Sequence, residues 1–397
     1  MLLGVSGGIA AYKAALVARL LKAAGADVTV VLTEAATRFV GPDTFAALTG
    51  KPAHTSLWER QGEVLHVRLA READIAVVVP ATANILAKLA HGHADDLLCA
   101  TLLEATCPLV IAPAMHSGMW EHPATQTNVG ILRDRGVIPI GPATGPLAHG
   151  DEGIGRLAEP GDIVAAVRGA IAPQDLAGRK LLLTSGPTYE PIDPVRFVGN
   201  RSTGKMGAAL AAEALARGAA VTVVLGPGAS VPPGVDVVSV QTAEEMRDAV
   251  LARFDDADAV VMAAAVADFR PKAMAESKLK KDAGVPELIL EPTPDILAEL
   301  GERRADQVLV GFAAETEDLE RAGRGKLESK RLDLVVVNLV GRLDTGFGAD
   351  TNEALLLATD GEGVPLRRWT KRELARAVVD RVVELLDAHA THVRPAR

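Results

Sequence analysis

LLGVSGGIAAYKAALVARLLKAAGADVTVVLTEA, residues 2–35, falls into three parts of different period. LLGVSG is a short apolar run closed by small residues. IAAYKAALVARLLKAAG places apolar residues at three- and four-residue spacing, the pattern of a helix with one buried face. ADVTVVLTEA is rich in β-branched residues and predicts a buried strand. The phrase recurs: KLLLTSG at 180–186, an insertion, then KMGAALAAEALARG at 205–218 and AAVTVVLGPG at 219–228. A looser echo links READIAVVVPATAN (71–84) with DDADAVVMAAAVADF (255–269). Each has an acidic, exposed lead-in before a buried strand that ends in small residues. Alternation of this kind predicts an α/β fold, two doubly wound, Rossmann-like domains with right-handed crossovers. Ligands of such sheets sit beyond the carboxyl ends of the strands, where this chain keeps its glycines and polar residues.

At 397 residues the chain is long enough for two domains of ordinary size. The boundary is expected in IAPQDLAGRK at residues 172–179, after a helix that starts near Pro160, giving domains at 1–172 and 179–390. TKRELARAVVDRVVELLDAH (370–389) predicts a final amphipathic helix. Aromatic residues make up only 3%, so the cores must be built from Ala, Val and Leu, which suits helices packed on aliphatic parallel strands. A net charge of −9 argues against a general nucleic-acid binder. MLLGVSGG is too short and uncharged for a signal peptide, and no apolar run reaches transmembrane length. Cys99 and Cys107, eight residues apart, make a poor disulfide framework. These features predict a soluble cytoplasmic protein with no membrane partner.

In GVSGGIAAYK, Ser6, Gly7 and Gly8 occupy the turn between the first strand and its helix. Backbone N–H groups there can meet an anion, and the helix N-terminus favours it. The spacing does not fit G-x-G-x-x-G, so a dinucleotide site is not indicated; a tight turn with no ligand is the plain alternative. PATANILAKLAHGHADDLL from Pro80 and PAMHSGMW from Pro113 each follow an apolar strand, and EVLHVRLA carries His66. Taken together, these segments resemble the flavin-dependent cysteine decarboxylases, over residues 2–170. The resemblance implies a flavodoxin-like domain binding FMN, with the phosphate on Ser6, Gly7, Gly8, Thr33 and the segment Pro80, Ala81, Thr82, Ala83 and Asn84, and with His66 as the family's catalytic histidine. In that family the substrate thiol gives its electrons to the flavin, the resulting thioaldehyde loses CO₂, and a proton donor helps restore the thiol.

Two positions depart from the family. His116 stands where an asparagine holds the substrate carboxylate, and His149, in AHGDEG, stands where a flap cysteine returns the proton. Three readings follow: both histidines work in a variant site, since imidazole changes protonation near neutral pH; the domain binds flavin and serves assembly only; or Cys99 or Cys107 substitutes. Seven of the nine histidines lie between His54 and His149, but their spacings match no zinc motif.

The insertion of the second half, TSGPTYEPIDPVRFVGNRSTGKMG (184–207), formally contains G-x-x-x-x-G-K from Gly199 to Lys205. Met206 occupies the place of the magnesium-binding hydroxyl, and a Pro-rich loop precedes it, which argues against a P-loop. Downstream, AAAVADFRP is expected to end a strand at Asp268. AESKLKK supplies Lys278, Lys280 and Lys281, and GFAAET and KLESKRLDLVVVN add Phe312, Lys326, Lys330 and Asn338. A solvated basic face is the ordinary explanation of such lysines; they also suit triphosphate oxygens.

Residues 179–387 resemble the bacterial, CTP-using phosphopantothenate–cysteine ligases. In order, the two halves resemble the bifunctional enzymes of coenzyme A synthesis. The resemblance implies activation of 4′-phosphopantothenate by CTP and Mg²⁺ to an acyl-cytidylate, then attack by the cysteine amine. It assigns Lys278 to activation and Ala264, Ala265, Asp268, Lys278, Phe312, Lys326 and Lys330 to CTP. Asn200 would hold the acyl intermediate, with Arg196 nearby. It further implies a homo-oligomer of flavin-domain trimers and ligase-domain dimers, up to a dodecamer. A ligase whose first half only binds flavin, and a regulatory flavin-binding protein, are the alternatives.

Overall fold

The computed structural model describes residues 1–59, 64–147, 150–280, 286–341, 348–361 and 363–392. Contacts divide the chain into Met1–Ala172 and Pro173–Arg397. Among the described residues no helix is long and apolar enough to cross a membrane.

The first unit is a five-stranded parallel sheet of β1 (Leu2–Val5), β2 (Thr29–Leu32), β3 (Ala76–Ala81), β4 (Leu109–Pro113) and β5 (Ile138–Pro139), in the order β2-β1-β3-β4-β5. That is the flavodoxin order, and its topological switch point lies between β1 and β3. Helices α1 (Ala11–Ala23), α2 (Glu34–Thr37), α3 (Pro42–Thr49), α4 (Leu65–Arg71), α5 (Ala83–His91), α6 (Leu97–Glu104), α7 (Ser117–Trp120), α8 (Pro123–Asp134) and α9 (Pro160–Ile171) cover it. A hairpin, β6 (Ala143–Pro146) with β7 (Glu152–Arg156), precedes α9. Alternation along the strands divides the core. Leu3, Val5, Val77 and Val79 pack with Val17 and Leu21 of α1, Phe45 of α3 and Ile163 of α9. Leu2, Ala76 and Val78 pack with Leu69, Ile85, Leu98 and Leu132 from α4, α5, α6 and α8. Each such aliphatic side chain contributes about 1.5–3 kcal/mol on burial.

In the second unit eight strands run β12-β11-β8-β13-β16-β17-β18-β19. They are β8 (Lys180–Ser185), β11 (Ala220–Leu225), β12 (Asp236–Ser239), β13 (Ala259–Met262), β16 (Val308–Glu315), β17 (Leu334–Leu339), β18 (Thr351–Ala358) and β19 (Val364–Thr370). The first six are parallel and follow the Rossmann order, with a switch point between β8 and β13; β18 and β19 add antiparallel. Helices α10 (Lys205–Ala216) and α14 (Lys371–His392) pack on one face. Helices α11 (Ala243–Phe254), α12 (Ile296–Arg303) and α13 (Leu319–Ser329) pack on the other. Two small hairpins project from the sheet, β9 (Tyr189–Pro191) with β10 (Phe197–Gly199), and β14 (Phe269–Pro271) with β15 (Leu290–Pro292).

One strand is shorter than the sequence suggests. β13 ends at Met262, six residues before Asp268. Beyond it two backbone groups turn to side chains, Ala264 N–H donating to Thr184 Oγ1 at 3.0 Å and Ala267 N–H to Thr188 Oγ1 at 2.9 Å, while Ala265 between them keeps a single parallel bridge to Pro187. The displaced segment becomes the wall of a cavity.

At the end of α10 the buried Arg217 guanidinium donates to both oxygens of Asp175 and also to Asp380 of α14. It thereby ties the start of the unit to two helices. Its hydrogen bonds hold the Asp175 carboxyl below the usual range, against the opposing effect of burial. A depressed folded-state pKa stabilises above the unfolded value, and the contribution is lost as pH falls through the folded one. Asp175→Asn should cost about 1–2 kcal/mol at neutral pH, because the carboxylate is partly solvated. The gap should begin to close near the ordinary Asp value of about 4 and vanish below it. Denaturant titration of both proteins from neutral to acid pH checks this; a pH-independent gap would refute it.

Candidate active sites

In the first unit a cavity of about 1090 Å³ opens at the switch point. Ser6, Gly7, Gly8, Thr33, Thr82, Ala83, Asn84 and His116 all line it. Ser6 is buried; its hydroxyl donates to Pro80 O at 2.7 Å and lies 3.1 Å from Thr82 Oγ1, and Thr82 N–H donates to it at 3.2 Å. Pro80 and Ala81 are therefore buried supports behind the wall rather than lining residues. Thr82 occupies the N-cap of α5 but makes no side-chain cap, so the first N–H groups of that helix are left for another acceptor. Gly7 is required by close approach: a Cβ there would lie 2.4 Å from Ala35 Cβ and 2.7 Å from its carbonyl carbon. This contact lets the β1–α1 turn and the start of α2 share one wall.

Lys13, Arg38 and Arg156 add positive charge to the lining, as does Lys88, which pairs with Asp95 and Asp96 at 2.9 and 3.0 Å. Asp95, Asp96 and Cys99 come near enough to hold a metal ion together, but both carboxylates are already bound to Lys88. Cys99 is buried, and burial, reinforced by Asp96, pushes its thiol up to about 12; it is not a ready proton donor. Burial also raises Cys107.

His116 occupies the N-cap position of α7 without a side-chain capping bond, and its Nε2 lies 3.3 Å from Asp151 at the foot of β7. His149 lies outside the described residues. His66 sits half-buried on α4 and is not part of the cavity wall.

A second cavity, about 470 Å³, opens at the switch point of the second sheet. Ala264, Ala265, Asp268, Phe312, Lys326, Lys330 and Asn200 line it. The Asn200 amide donates to Ala265 O at 3.2 Å and Val266 O at 3.1 Å, so its remaining polar atom is the carbonyl oxygen. Lys326 pairs with Glu315 at 2.7 Å and Lys330 with Asp295 at 2.9 Å. Lys205 pairs with Asp350 at 2.7 Å. Glycine is again needed where elements meet: at Gly207 of α10 a Cβ would come within 2.3 Å of Ser185 Oγ.

Arg196 and Lys278 do not line this cavity. They share an exposed arm built on the β9–β10 hairpin and the segment after β14. Arg196 donates to Leu279 O and approaches Asp193, 3.3 Å away. Burial alone would raise the Asp193 carboxyl. The N–H groups of Val195, Arg196 and Leu279 hold it below its ordinary value, which locks the arm's turn. Lys278 and Lys280 are exposed, and Lys281 lies outside the described residues.

Sequence reasoning missed Lys371 and Asn352, which line the cavity with Asn338. Neither has a motif: one is the first residue of an amphipathic helix, the other a lone amide in an antiparallel strand.

Residues 1–172 match the family described as "Flavoprotein", and residues 176–386 match the "DNA/pantothenate metabolism flavoprotein C-terminal domain". The chain is 48% identical, over 97% of its length and 96% of the relative's, to the coenzyme A biosynthesis bifunctional protein CoaBC of Mycobacterium bovis. It is 45% identical to that of Bacillus subtilis, over 97% of each chain. Among solved structures, the C-terminal domain of a coenzyme A biosynthesis bifunctional protein CoaBC is 38% identical, covering 54% of this chain and 99% of that one, with a TM-score of 0.47.

Gly7→Ala should strip the flavin from the first unit, since the added methyl must part the two turns that form its wall. Visible flavin absorbance of the purified variant measures this, with the second cavity's activity as the folding control; full retention of flavin would remove Gly7 from the cradle.

Proposed function

The chain belongs to the family of bifunctional coenzyme A biosynthesis proteins, and we propose that its two switch-point cavities divide the two reactions between them. It is a phosphopantothenate–cysteine ligase and a phosphopantothenoylcysteine decarboxylase in one polypeptide, the reading favoured over a ligase with a silent flavin domain. The observation that supports the division is that each half sets most of the polar residues its motifs mark around its own cavity, with His66, Arg196 and Lys278 outside the walls. Two free cysteines and the absence of a membrane-length helix among the described residues suit a cytoplasmic enzyme.

The first cavity fits FMN. Its volume is of the size that cofactor sites occupy, and its glycine turn lies too close to Ala35 for a Cβ at Gly7. The uncapped start of α5, with Lys13 and Arg38 on the same wall, suits a phosphate. Bound there, the flavin supplies oxidation of the cysteinyl thiol and returns the electrons after CO₂ has left. Ser6, Gly8, Thr33 and residues 80–84 hold the phosphate end. His116 replaces the family's asparagine as the carboxylate-orienting donor, with Asp151 fixing the ring through Nε2. His149 returns the proton to the carbon that loses CO₂. The buried, high-pKa thiol of Cys99 does not suit that task. Purified protein given phosphopantothenoylcysteine should release CO₂, and His149→Ala should cut the rate by roughly 10²–10⁴, the usual worth of a general acid. Release unchanged in the variant would dismiss His149 as donor.

In the second cavity CTP enters as its magnesium complex. A carboxylate oxygen of phosphopantothenate attacks the α-phosphorus, the bond to the β-phosphate oxygen breaks, and pyrophosphate leaves. The amine of cysteine then attacks the acyl carbon, loses a proton and expels CMP. Asp268 and the Ala264–Ala265 backbone receive the nucleoside, Phe312 packs against it, and Lys326 and Lys330 exchange their carboxylate partners for phosphate oxygens. Asn200, its amide spent on two backbone carbonyls, presents its oxygen to the acyl intermediate. Lys278 neutralises charge during activation.

Arg196 and Lys278 lie on an arm that also exposes Val195, Phe197, Phe269 and Met274. A ligase dimer that buries these side chains brings the arm of one subunit to the cavity of the other. His66 reaches a flavin cavity in the same way within a trimer, whose contacts would use the outward Ile9, Tyr12, Leu16 and Leu20. Such trimers and dimers together build a dodecamer. Asn200→Asp alone should accumulate acyl-cytidylate, and Lys278→Gln alone should stop pyrophosphate release. Co-assembly of the two inactive variants should restore ligase activity, since a mixed dimer then holds one intact site. Activity that stays absent in proven mixed assemblies would place both residues in one subunit's site.

A further inference from the structure

Residues 193–196 read DPVR, in the loop that joins β9 to β10. Asp193 is buried, at 2% exposure, although the arm around it exposes Val195, Phe197 and Met274. Its two carboxylate oxygens have separate partners. Oδ1 accepts the N–H groups of Val195 and Arg196, both at 2.8 Å, and closes the turn. Oδ2 reaches out of the hairpin: it accepts the N–H of Leu279 at 3.1 Å and faces Arg196 Nε at 3.3 Å. The Arg196 guanidinium in turn donates to the carbonyl of Leu279. Both backbone polar groups of Leu279 are therefore held, the donor by Asp193 and the acceptor by Arg196. A further bond, Ala275 N–H to Ile192 O at 2.9 Å, fixes the other end of the same segment.

Lys278 lies between those two anchors, next to Leu279. Its side chain is exposed, so its place is set by the backbone that carries it. The turn alone does not call for a carboxylate, since asparagine or serine closes such turns with one oxygen and buries no charge. A buried carboxylate is costly unless donors meet both of its oxygens. Here the second oxygen is met by the segment that bears Lys278.

We propose that Asp193 is a positioning residue for the activation step, acting through Leu279 on Lys278, with Arg196 as the second jaw of the same clamp. The proposal rests on the ligase reading, in which Lys278 neutralises charge as pyrophosphate departs. A lysine on a loose segment must give up backbone freedom when the polyphosphate arrives. With Leu279 anchored at both polar groups, that loss is already made in the free protein. Misplacing a reacting group by about 1 Å costs up to about 10²-fold in rate, which sets the scale of the effect.

Asp193→Asn separates this role from the turn. The amide oxygen keeps Val195 and Arg196, which leaves the NH₂ group facing the Leu279 N–H and the guanidinium, donor against donor. In the full-length protein given CTP, phosphopantothenate and cysteine, pyrophosphate release at saturating substrates should fall about 10- to 100-fold. Transfer to cysteine from supplied phosphopantothenoyl-cytidylate should change much less, because Asn200 is held by Ala265 and Val266 and not by the arm. Trypsin should cut faster after Lys278 and Lys280, a readout independent of turnover. In a Lys278→Gln background the same substitution should add little to the loss of residual release, since both changes act through one group. Asp193→Ser closes the turn without reaching Leu279 and should match the Asn variant; it keeps the question answerable if that variant does not fold. Release at the parental rate in both variants, or equal losses in release and in transfer, would overturn the assignment. The ligase reading is tested apart from it, by pyrophosphate release from the parent protein and its loss in Lys278→Gln alone.

Discussion

A hydroxyl at the carboxyl end of the first strand holds each site open. In the first sheet Ser6 reaches across the switch point to Pro80 and Thr82. In the second, Thr184 accepts from Ala264. Adjacent parallel strands would otherwise continue their ladder and bring the two walls together. A side chain that takes over one backbone partner satisfies the peptide group while letting the strands part. Both cavities open where the ladder is interrupted in this way. The glycines follow from the same constraint, since Gly7 and Gly207 lie where the neighbouring segments are pulled too close for a Cβ.

The two halves repeat one strand–helix–strand phrase yet serve different ligands, because the repeat ends at different places. The first sheet stops at five strands, and its cavity is closed by loops and the β6–β7 hairpin, where His116 meets Asp151. The second carries on through β16 and β17 and then turns antiparallel. This extension brings Asn338, Asn352 and Lys371 to the cavity, three groups with no counterpart in the shorter sheet. Shared topology supplies the crevice, and what is appended to it selects the chemistry.

The doubly wound fold was legible because periodicity survives without context: alternating aliphatic strands and helical stripes repeat through both halves. The glycine turn, the 80–84 segment and the wall at Ala264–Asp268 were legible because a motif is contiguous in the chain. The limit of β13 was not, since the alanines that leave the ladder do so for Thr184 and Thr188, some 80 residues away. His66, Arg196 and Lys278 show a different limit. Their motifs mark them, but they line neither switch-point cavity, because a motif is read along the chain and a cavity wall is set by the fold. Lys371 and Asn352 were invisible for the opposite reason: each is an ordinary residue in an ordinary element until three elements converge.

An acidic chain of net charge −9 must still receive polyanions. The second cavity meets this demand by keeping its positive charge locally compensated. Lys205, Lys326 and Lys330 each lie within 3 Å of a carboxylate. Compensation stops the lysines from repelling one another across a small volume, at the cost of a competition whenever phosphate arrives. Partner exchange of this kind is nearly balanced, so it lets ligand come and go but cannot hold it tightly. Net attraction has to come from a cation whose free-state environment is worse than its bound one.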